Sequence, residues 1–329
     1  QRGRYREFYQ CDIDIVGSAS MVADAEVLSV LTEAMDAFGF PGYNILLYNR
    51  KLLSAMGRYA GVPAEQAGLL YRAIDKLAKI GAEGVLAEME RNGVSPEPAR
   101  RALTLATESA GQDNATVLAG LETRLAGDAV AQDGVRELRE IVEYLGALSA
   151  SAGKVRVDPT LARGIDYYTG PIWEIIVEEP KIGSLGAGGR YDKLVGTFAG
   201  RDLPTTGSSL GLERMIDVLE ALGMVQPELS VSQVLVAPFN RTVLPAALGI
   251  LAELRAAGVR SEIFLNPDEK LGKQLQYADR LGIPLAVIVA PDELARDEVL
   301  VKQLKTQEQQ TLPRPGLAAA LSTMVAGAP

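Results

Sequence analysis

Residues 7–16, Glu-Phe-Tyr-Gln-Cys-Asp-Ile-Asp-Ile-Val, alternate between two kinds of side chain. Successive side chains of a strand point to opposite faces. Tyr9, Cys11, Ile13 and Ile15 therefore share one face, and Phe8, Gln10, Asp12 and Asp14 share the other. The period then lengthens: Val27, Leu28, Leu31, Met35 and Phe38 recur at helical spacing behind Asp24, which the pattern makes the N-cap. The run YNILLYN at 43–49 predicts a second strand, with a helix from about Arg50. From about 63 to 152 the chain is rich in Ala, Leu, Glu and Arg at helical spacing, with no strand signal and no cluster of site-like residues. It reads as a helical insertion. Strands return at 155–157 and 171–178, with glycine-rich turns predicted at 183–189 and 207–211.

After Gln226-Pro227-Glu228 the order becomes strand 234–238, helix 243–257, strand 261–264, helix 270–281 and strand 284–290. This βαβαβ order predicts a small, mostly parallel α/β domain with helices on both faces. The expected organisation is an α+β unit over 1–228, carrying the insertion, and an α/β unit over 229–329.

Composition narrows the chemistry more than the fold. The 329 residues include no histidine and one cysteine, Cys11. Without histidine the usual general base, zinc ligand and partner of a nucleophile are missing. Catalysis would fall to arginines, carboxylates, tyrosines, backbone amides and a bound metal. A lone cysteine excludes an internal disulfide and fits a reducing cytosol, so a cytoplasmic location is expected. No apolar run is long enough to span a bilayer. The opening Gln1-Arg2-Gly3-Arg4, with no initiator Met or signal-like stretch, leads to the expectation that the native start lies upstream. The net charge is −9; from Val231 onward 10 basic residues balance 10 acidic ones, leaving 23 and 32 upstream. A neutral tail and an acidic body argue against indiscriminate nucleic-acid binding and leave room for a specific contact.

Three clusters carry candidate chemistry. Arg2, Arg4 and Arg6 lead into the first strand, whose Gln10–Asp12–Asp14 face is either the wet side of an antiparallel sheet or the floor of a pocket for a cationic ligand. The segment LARGIDYYTG (161–170) sets Tyr167 and Tyr168 between Arg163, Asp166 and two glycines. It is either a turn with a tyrosine packed as core or a polar pocket wall with a fixed guanidinium. The third cluster pairs GSLGAGGRYD (183–192) with GSSLGLER (207–214). Neither is a P-loop or a dinucleotide fingerprint. Arg214 nevertheless enters an apolar helix (Met215, Ile216, Val218, Leu219) from a strand–turn–helix junction, where a guanidinium is well placed to grip a phosphate.

Together these segments resemble the histidyl-tRNA synthetases. RYREFYQCD (4–12) is similar to the second strand of class II motif 2, LARGIDYYTG and GAGGRYDKLVG to the two peptides specific to the histidine enzymes, and GSSLGLERM to motif 3. The tail resembles the anticodon-binding domain shared with the glycine, threonine and proline enzymes, and the likeness runs from residue 1 to about 315. The resemblance implies a class II core, an antiparallel sheet with flanking helices, followed by a small anticodon-binding domain. It implies ATP and L-histidine as substrates, Mg²⁺ with the ATP, tRNA(His) as acceptor, a homodimer and no membrane. Carried over by position, Arg4, Arg6 and Phe8 serve ATP, with Phe8 stacking on adenine. Gln10 and Asp14 hold the amino and imidazole groups of histidine, and Tyr168 and Tyr191 line the imidazole pocket. Gly186 to Gly189, Gly188 among them, let the substrate lie against the backbone. Arg163 meets the substrate carboxylate and α-phosphate, and Arg214 the γ-phosphate, with Glu213 beside it.

Such chemistry runs without histidine side chains. The substrate carboxylate is itself the nucleophile at neutral pH, and what the reaction needs is placement and positive charge around the phosphate. The family's motif 1 and first motif 2 strand have no counterpart here, so an incomplete active site is expected of these 329 residues alone. Two other readings compete. One is a non-catalytic paralogue of the kind that regulates histidine biosynthesis, disfavoured by the tail domain and by Arg163 and Arg214. The other is a synthetase-like tRNA sensor, disfavoured by Gln10, Tyr168 and Tyr191.

Overall fold

The computed structural model describes residues 5–148, 151–162, 167–225 and 230–326, and the chain divides into two compact units, Gln1–Val225 and Gln226–Pro329. The alternating segment forms strand β1 (Gln10–Val16). Helix α1 (Met21–Phe38) follows, but its N-cap is Ser20 rather than Asp24. The Ser20 hydroxyl accepts from the Val22 amide at 3.3 Å. Met21 is already a core residue, so the helix begins a turn before the apolar repeat is recognisable, and Asp24 falls inside it, fully buried.

Strand β2 (Tyr43–Asn49) runs straight into α2 (Arg50–Ala60), capped by the Asn49 side chain, which accepts from Lys51 N at 2.9 Å. The next helices are α3 (Ala67–Ile74), α4 (Leu77–Arg91), α5 (Pro96–Thr107), α6 (Asn114–Arg124) and α7 (Ala129–Leu148). Among the described residues no strand interrupts them. Helix α7 buries Ala131, Val135, Leu138, Ile141 and Leu145, a stripe at helical spacing. Gly134 lets it press onto α2, since a Cβ there would lie 3.0 Å from Leu52 Cγ. Glu137 fastens the contact, accepting from Lys51 Nζ at 2.7 Å and Asn49 Nδ2 at 2.8 Å.

The chain returns through β3 (Val155–Val157), β4 (Pro171–Val177), β5 (Gly186–Arg190), α8 (Leu194–Ala199), β6 (Thr205–Gly211) and α9 (Leu212–Ala221). The strands form one sheet in the order β1-β6-β5-β4-β2-β3, antiparallel except for the β2–β3 pair. One face carries Ile13, Ile45, Leu47, Trp173 and Ile175 and shares a core with Val27, Leu28, Leu31 and Met35 of α1. The segments read as glycine-rich turns are largely strand: only 183–185 of the first lies outside β5, and 207–211 lies wholly within β6. Glycine's poor strand propensity hides them, and close packing of neighbouring strands explains them.

The second unit is built on β7 (Val234–Pro238), α10 (Leu244–Ala256), β8 (Ser261–Ile263), α11 (Leu271–Arg280) and β9 (Leu285–Val289). Strand β7 pairs in parallel with both β8 and β9, as the βαβαβ pattern predicts. Its side chains alternate between two cores: Val234 and Val236 pack with Ile250 and Leu254 of α10, Leu235 and Ala237 with Ala278 of α11. Beyond this, α12 (Pro291–Leu294), β10 (Glu298–Gln303), β11 (Gln309–Pro313) and α13 (Leu317–Ala326) add an antiparallel pair at the β9 edge and a helix whose Leu317 and Leu321 join the α10 core. The sequence reading placed no element here.

Candidate active site

The other face of the first sheet carries the candidate site. The register sets Gln10 opposite Gly211, Asp12 opposite Ser209 and Asp14 opposite Gly207, so these residues share a face. Along β6 the residues facing the site are small: Gly207, Ser209 and Gly211. The intervening Ser208 and Leu210 turn into the core, where Ser208 accepts from Trp173 Nε1 at 3.1 Å. A Cβ on Gly207 would collide with the Asp14 carboxylate, and one on Gly211 would lie 3.9 Å from Arg214 Cδ. Bare strand at 207 therefore makes room for the Asp14 side chain, whereas a Cβ at 211 would only touch the Arg214 stem. Between them Gln10 Nε2 donates to Ser209 Oγ at 2.5 Å.

At one end of this strip three tyrosines gather round Asp14. The Tyr191 hydroxyl donates to Asp14 Oδ1. The rings of Tyr167 and Tyr168 lie 4.6 Å apart, and each meets Tyr191 edge-on, at 5.9 Å and 6.4 Å. Burial pushes the Tyr191 hydroxyl above its usual range, and the Asp14 bond adds to the shift, so it remains a donor at neutral pH. Burial raises Tyr168 likewise, reinforced by Tyr167. With Asp12 and Asp14 beside it, this end is acidic and suits a cation bearing N–H donors.

The opposite end carries a guanidinium. Strand β6 passes directly into α9 without the turn expected there, and Arg214 Nη1 donates to the Ser184 carbonyl at 2.6 Å. Glu213 accepts from Tyr9 N at 2.7 Å, which fixes the chain as it enters β1, next to Phe8. Phe8 is 55 % exposed, open to stacking by a ligand, and Arg6 is exposed beside it. Asp14 and Gln10 stand four residue steps apart along the strand, about 13 Å at the usual rise. Arg4, Arg163 and Asp166 lie outside the described residues.

Gly188 sits differently from the expectation placed on it. The space for its Cβ opens to the core face, 2.6 Å from Trp173 Nε1 and 2.8 Å from Ser208 Cα. Its glycine is demanded by packing behind the sheet. On the site face, Gly189 gives the Tyr168 ring its place, with Cδ1 2.9 Å from where a Cβ would stand. The sequence reading gives Ser209 no role and names Tyr167 only within the candidate cluster at 161–170. The doubled tyrosine and the spacing of small residues two apart in 207–211 were the available signals. It also gave no role to Arg190, whose side chain is almost fully buried against Asp24.

A family model described as histidyl-tRNA synthetase matches residues 1–215, and one described as anticodon binding domain matches residues 233–324. The histidine–tRNA ligase of Paracoccus denitrificans (strain Pd 1222) is 39 % identical over 329 residues, covering 92 % of this chain and 66 % of that protein. That of Xanthomonas axonopodis pv. citri (strain 306) is 39 % identical over 331 residues, covering 98 % and 69 %. The chain thus spans about two thirds of the length of these curated relatives. Among solved structures, histidyl-tRNA synthetase from Nostoc sp. PCC 7120 superimposes with a TM-score of 0.71 at 31 % identity, covering 98 % of this chain and 76 % of that one. An ATP phosphoribosyltransferase regulatory subunit/histidyl-tRNA synthetase from Bacillus halodurans C shares the fold, with a TM-score of 0.55 at 20 % identity over 80 % of this chain and 64 % of that one.

Proposed function

The chain belongs to the histidyl-tRNA synthetase family, and from that premise we propose that it serves as a histidine–tRNA ligase, activating L-histidine with ATP and transferring it to the 3′ end of tRNA(His). The observation that carries this reading is the polarity of the strip on the sheet. Carboxylate and tyrosine hydroxyls gather at one end and the Arg214 guanidinium stands at the other. A ligand that fits has a cationic N–H-bearing head and a phosphate tail, as histidine joined to ATP does.

In the first step an oxygen of the histidine carboxylate attacks the α-phosphorus, forming the acyl–phosphate bond as the bond to the β-phosphate oxygen breaks and pyrophosphate leaves. The attacking group is already ionised, so no general base is required and positioning carries the catalysis. Asp14 and Gln10 hold the amino and imidazole groups, and Tyr168 and Tyr191 wall the imidazole. Phe8 stacks on adenine, with Arg4 and Arg6 on the nucleotide. Arg214 takes the γ-phosphate, and Arg163 the carboxylate and α-phosphate. Among the described residues no three carboxylate or cysteine side chains converge as a metal site. Magnesium is commonly held by one or two carboxylates and the substrate's phosphates, so the donor set suits an ion arriving on ATP, with Glu213 next to Arg214 in the chain. It would neutralise charge on the phosphates.

The second unit binds the anticodon of tRNA(His) on this reading, and the protein works as a homodimer in the cytoplasm. No helix among the described residues is long and apolar enough to cross a membrane. The test is histidine-dependent ATP–pyrophosphate exchange, run on this chain and on one joined to the upstream motif 1 and motif 2 segment that the family carries. Exchange that requires histidine and disappears in Arg163→Ala with unchanged melting is the expected result. Exchange with histidine in neither version, or undiminished exchange in Arg163→Ala, would overturn it.

A further inference from the structure

Behind the tyrosine pocket, on the core side of the same sheet, Arg190 is 3 % exposed and faces Asp24, which is fully buried. A guanidinium has five N–H donors, and at Arg190 every one is engaged. Nε donates to Asp24 Oδ2 at 3.2 Å. Nη2 donates to the same oxygen and to the Ser20 carbonyl at 3.1 Å. Nη1 donates to the Ser18 carbonyl at 2.9 Å and to Asp192 Oδ1 at 3.2 Å. Asp24 Oδ1 accepts from Thr206 Oγ1 at 2.8 Å. Asp192 extends the network: it accepts from Thr205 N at 3.1 Å and from Thr169 Oγ1 at 3.2 Å, and its own amide donates to that hydroxyl.

The pocket residues come from three separate segments, and this hub grips all three. Asp14 stands on β1, which ends at Val16 just before Ser18. Tyr191 lies between Arg190 and Asp192, and Tyr168 precedes Thr169. A buried ion pair is weak evidence for stability, because well-packed apolar residues often do as well. A fully satisfied buried network does specify one arrangement. We infer that Arg190 is a positioning residue for the amino-acid pocket, clamping from the far side of the sheet the three segments that bring Asp14, Tyr168 and Tyr191 together. The inference rests on the reading of that pocket as the histidine site.

Lysine carries charge but not the fork, so Arg190→Lys keeps a cation opposite Asp24 while dropping most of the carbonyl and Asp192 contacts. Arg190→Gln leaves Asp24 buried without its cation, and Asp24→Asn combined with Arg190→Gln removes both charges. The measurements are melting temperature, the exchange KM for histidine and for ATP, and the resonance of ¹³Cζ-labelled Tyr191. The double variant is expected to recover the melting temperature lost in Arg190→Gln. Both it and Arg190→Lys should show a shifted Tyr191 resonance and a histidine KM raised about tenfold or more, as displaced binding groups give, with the KM for ATP unchanged. A wild-type Tyr191 resonance and histidine KM in the double variant would overturn the inference. So would histidine and ATP constants that rise together in step with lost stability. The exchange constants are read on the chain joined to the family's upstream segment; if that wild type neither exchanges nor binds histidine, the functional reading fails, and the Tyr191 resonance still decides whether Arg190 sets the pocket.

Discussion

Replacing Gly188 by alanine separates two explanations of the glycine-rich peptide. If glycine is there to let a substrate lie on the backbone, alanine should leave the fold intact and weaken histidine binding. The structure argues the reverse. The new methyl group would stand 2.6 Å from Trp173 Nε1, 2.8 Å from Ser208 Cα and closer still to the Gly207 carbonyl oxygen. Ordinary carbon–oxygen contacts begin at about 3.3 Å, so β5 and β6 must part by about 1 Å. Much of that movement falls on backbone. Overpacking a core costs typically about 1–3 kcal/mol, and a clash with a paired strand belongs at the top of that range. For a unit of this size each kcal/mol lowers the melting temperature by roughly 2–4 °C, so a fall of roughly 6–12 °C is expected. The assay is calorimetry alongside urea unfolding, with Gly120→Ala as control. Gly120 is exposed within α6 with no atom within 4 Å of a Cβ, and alanine there should stabilise by about 1 kcal/mol. Wild-type melting of Gly188→Ala together with weakened histidine binding would refute the packing argument.

Three further outcomes are expected. Tyr191→Phe removes the donor to Asp14; a hydrogen bond to a charged group contributes about 1.5–3 kcal/mol, so the KM for histidine should rise roughly tenfold or more with little change in melting, and an unchanged KM would count against the pocket. Removing residues 231–329 should cost far more of tRNA charging than of pyrophosphate exchange, and equal loss of both would contradict a separate tRNA-reading unit. Asp36 accepts from the Ser151 hydroxyl and from the Tyr43 hydroxyl, which hold its carboxyl below the usual range. Its contribution to stability is therefore complete above the unfolded value near 3.9 and is lost as pH falls through the lowered folded value. Asp36→Asn should flatten the fall of urea-unfolding stability below about pH 4, and an unaltered slope would dismiss the contact.

Where apolar periodicity alone decides the structure, the chain was easy to read. The β7–α10–β8–α11–β9 order and the all-helical stretch between α2 and β3 follow from it directly. The glycine segments were misread because their reason lies across the sheet: nothing near Gly188 in sequence announces that the Trp173 indole fills the space beside it. In sequence the face bearing Gln10, Asp12 and Asp14 is indistinguishable from a solvated edge, because Tyr167, Tyr168 and Tyr191, which gather around Asp14, lie more than 150 positions away. Asp24 was misassigned because capping is a local rule, whereas its partners Arg190 and Thr206 are remote. The tail beyond β9 alternates too weakly to declare β10 and β11, which are held by pairing at a sheet edge.

The helices from α3 to α7 leave the sheet after α2 and rejoin it at β3, which lies against the very strand that preceded them, Ile45 beside Val155. Thermodynamically the whole excursion is one closed ring on the sheet. Ring closure depends on length only logarithmically, so doubling such a ring costs only about 0.6 kcal/mol. The sheet is thus nearly indifferent to how much chain the ring contains, provided its two feet stay together. What fixes this ring is the seam where Gly134 admits α7 to α2 and Glu137 meets Lys51 and Asn49. An excursion of quite different size could stand on the same two feet without shifting the register that aligns Asp14 with Gly207.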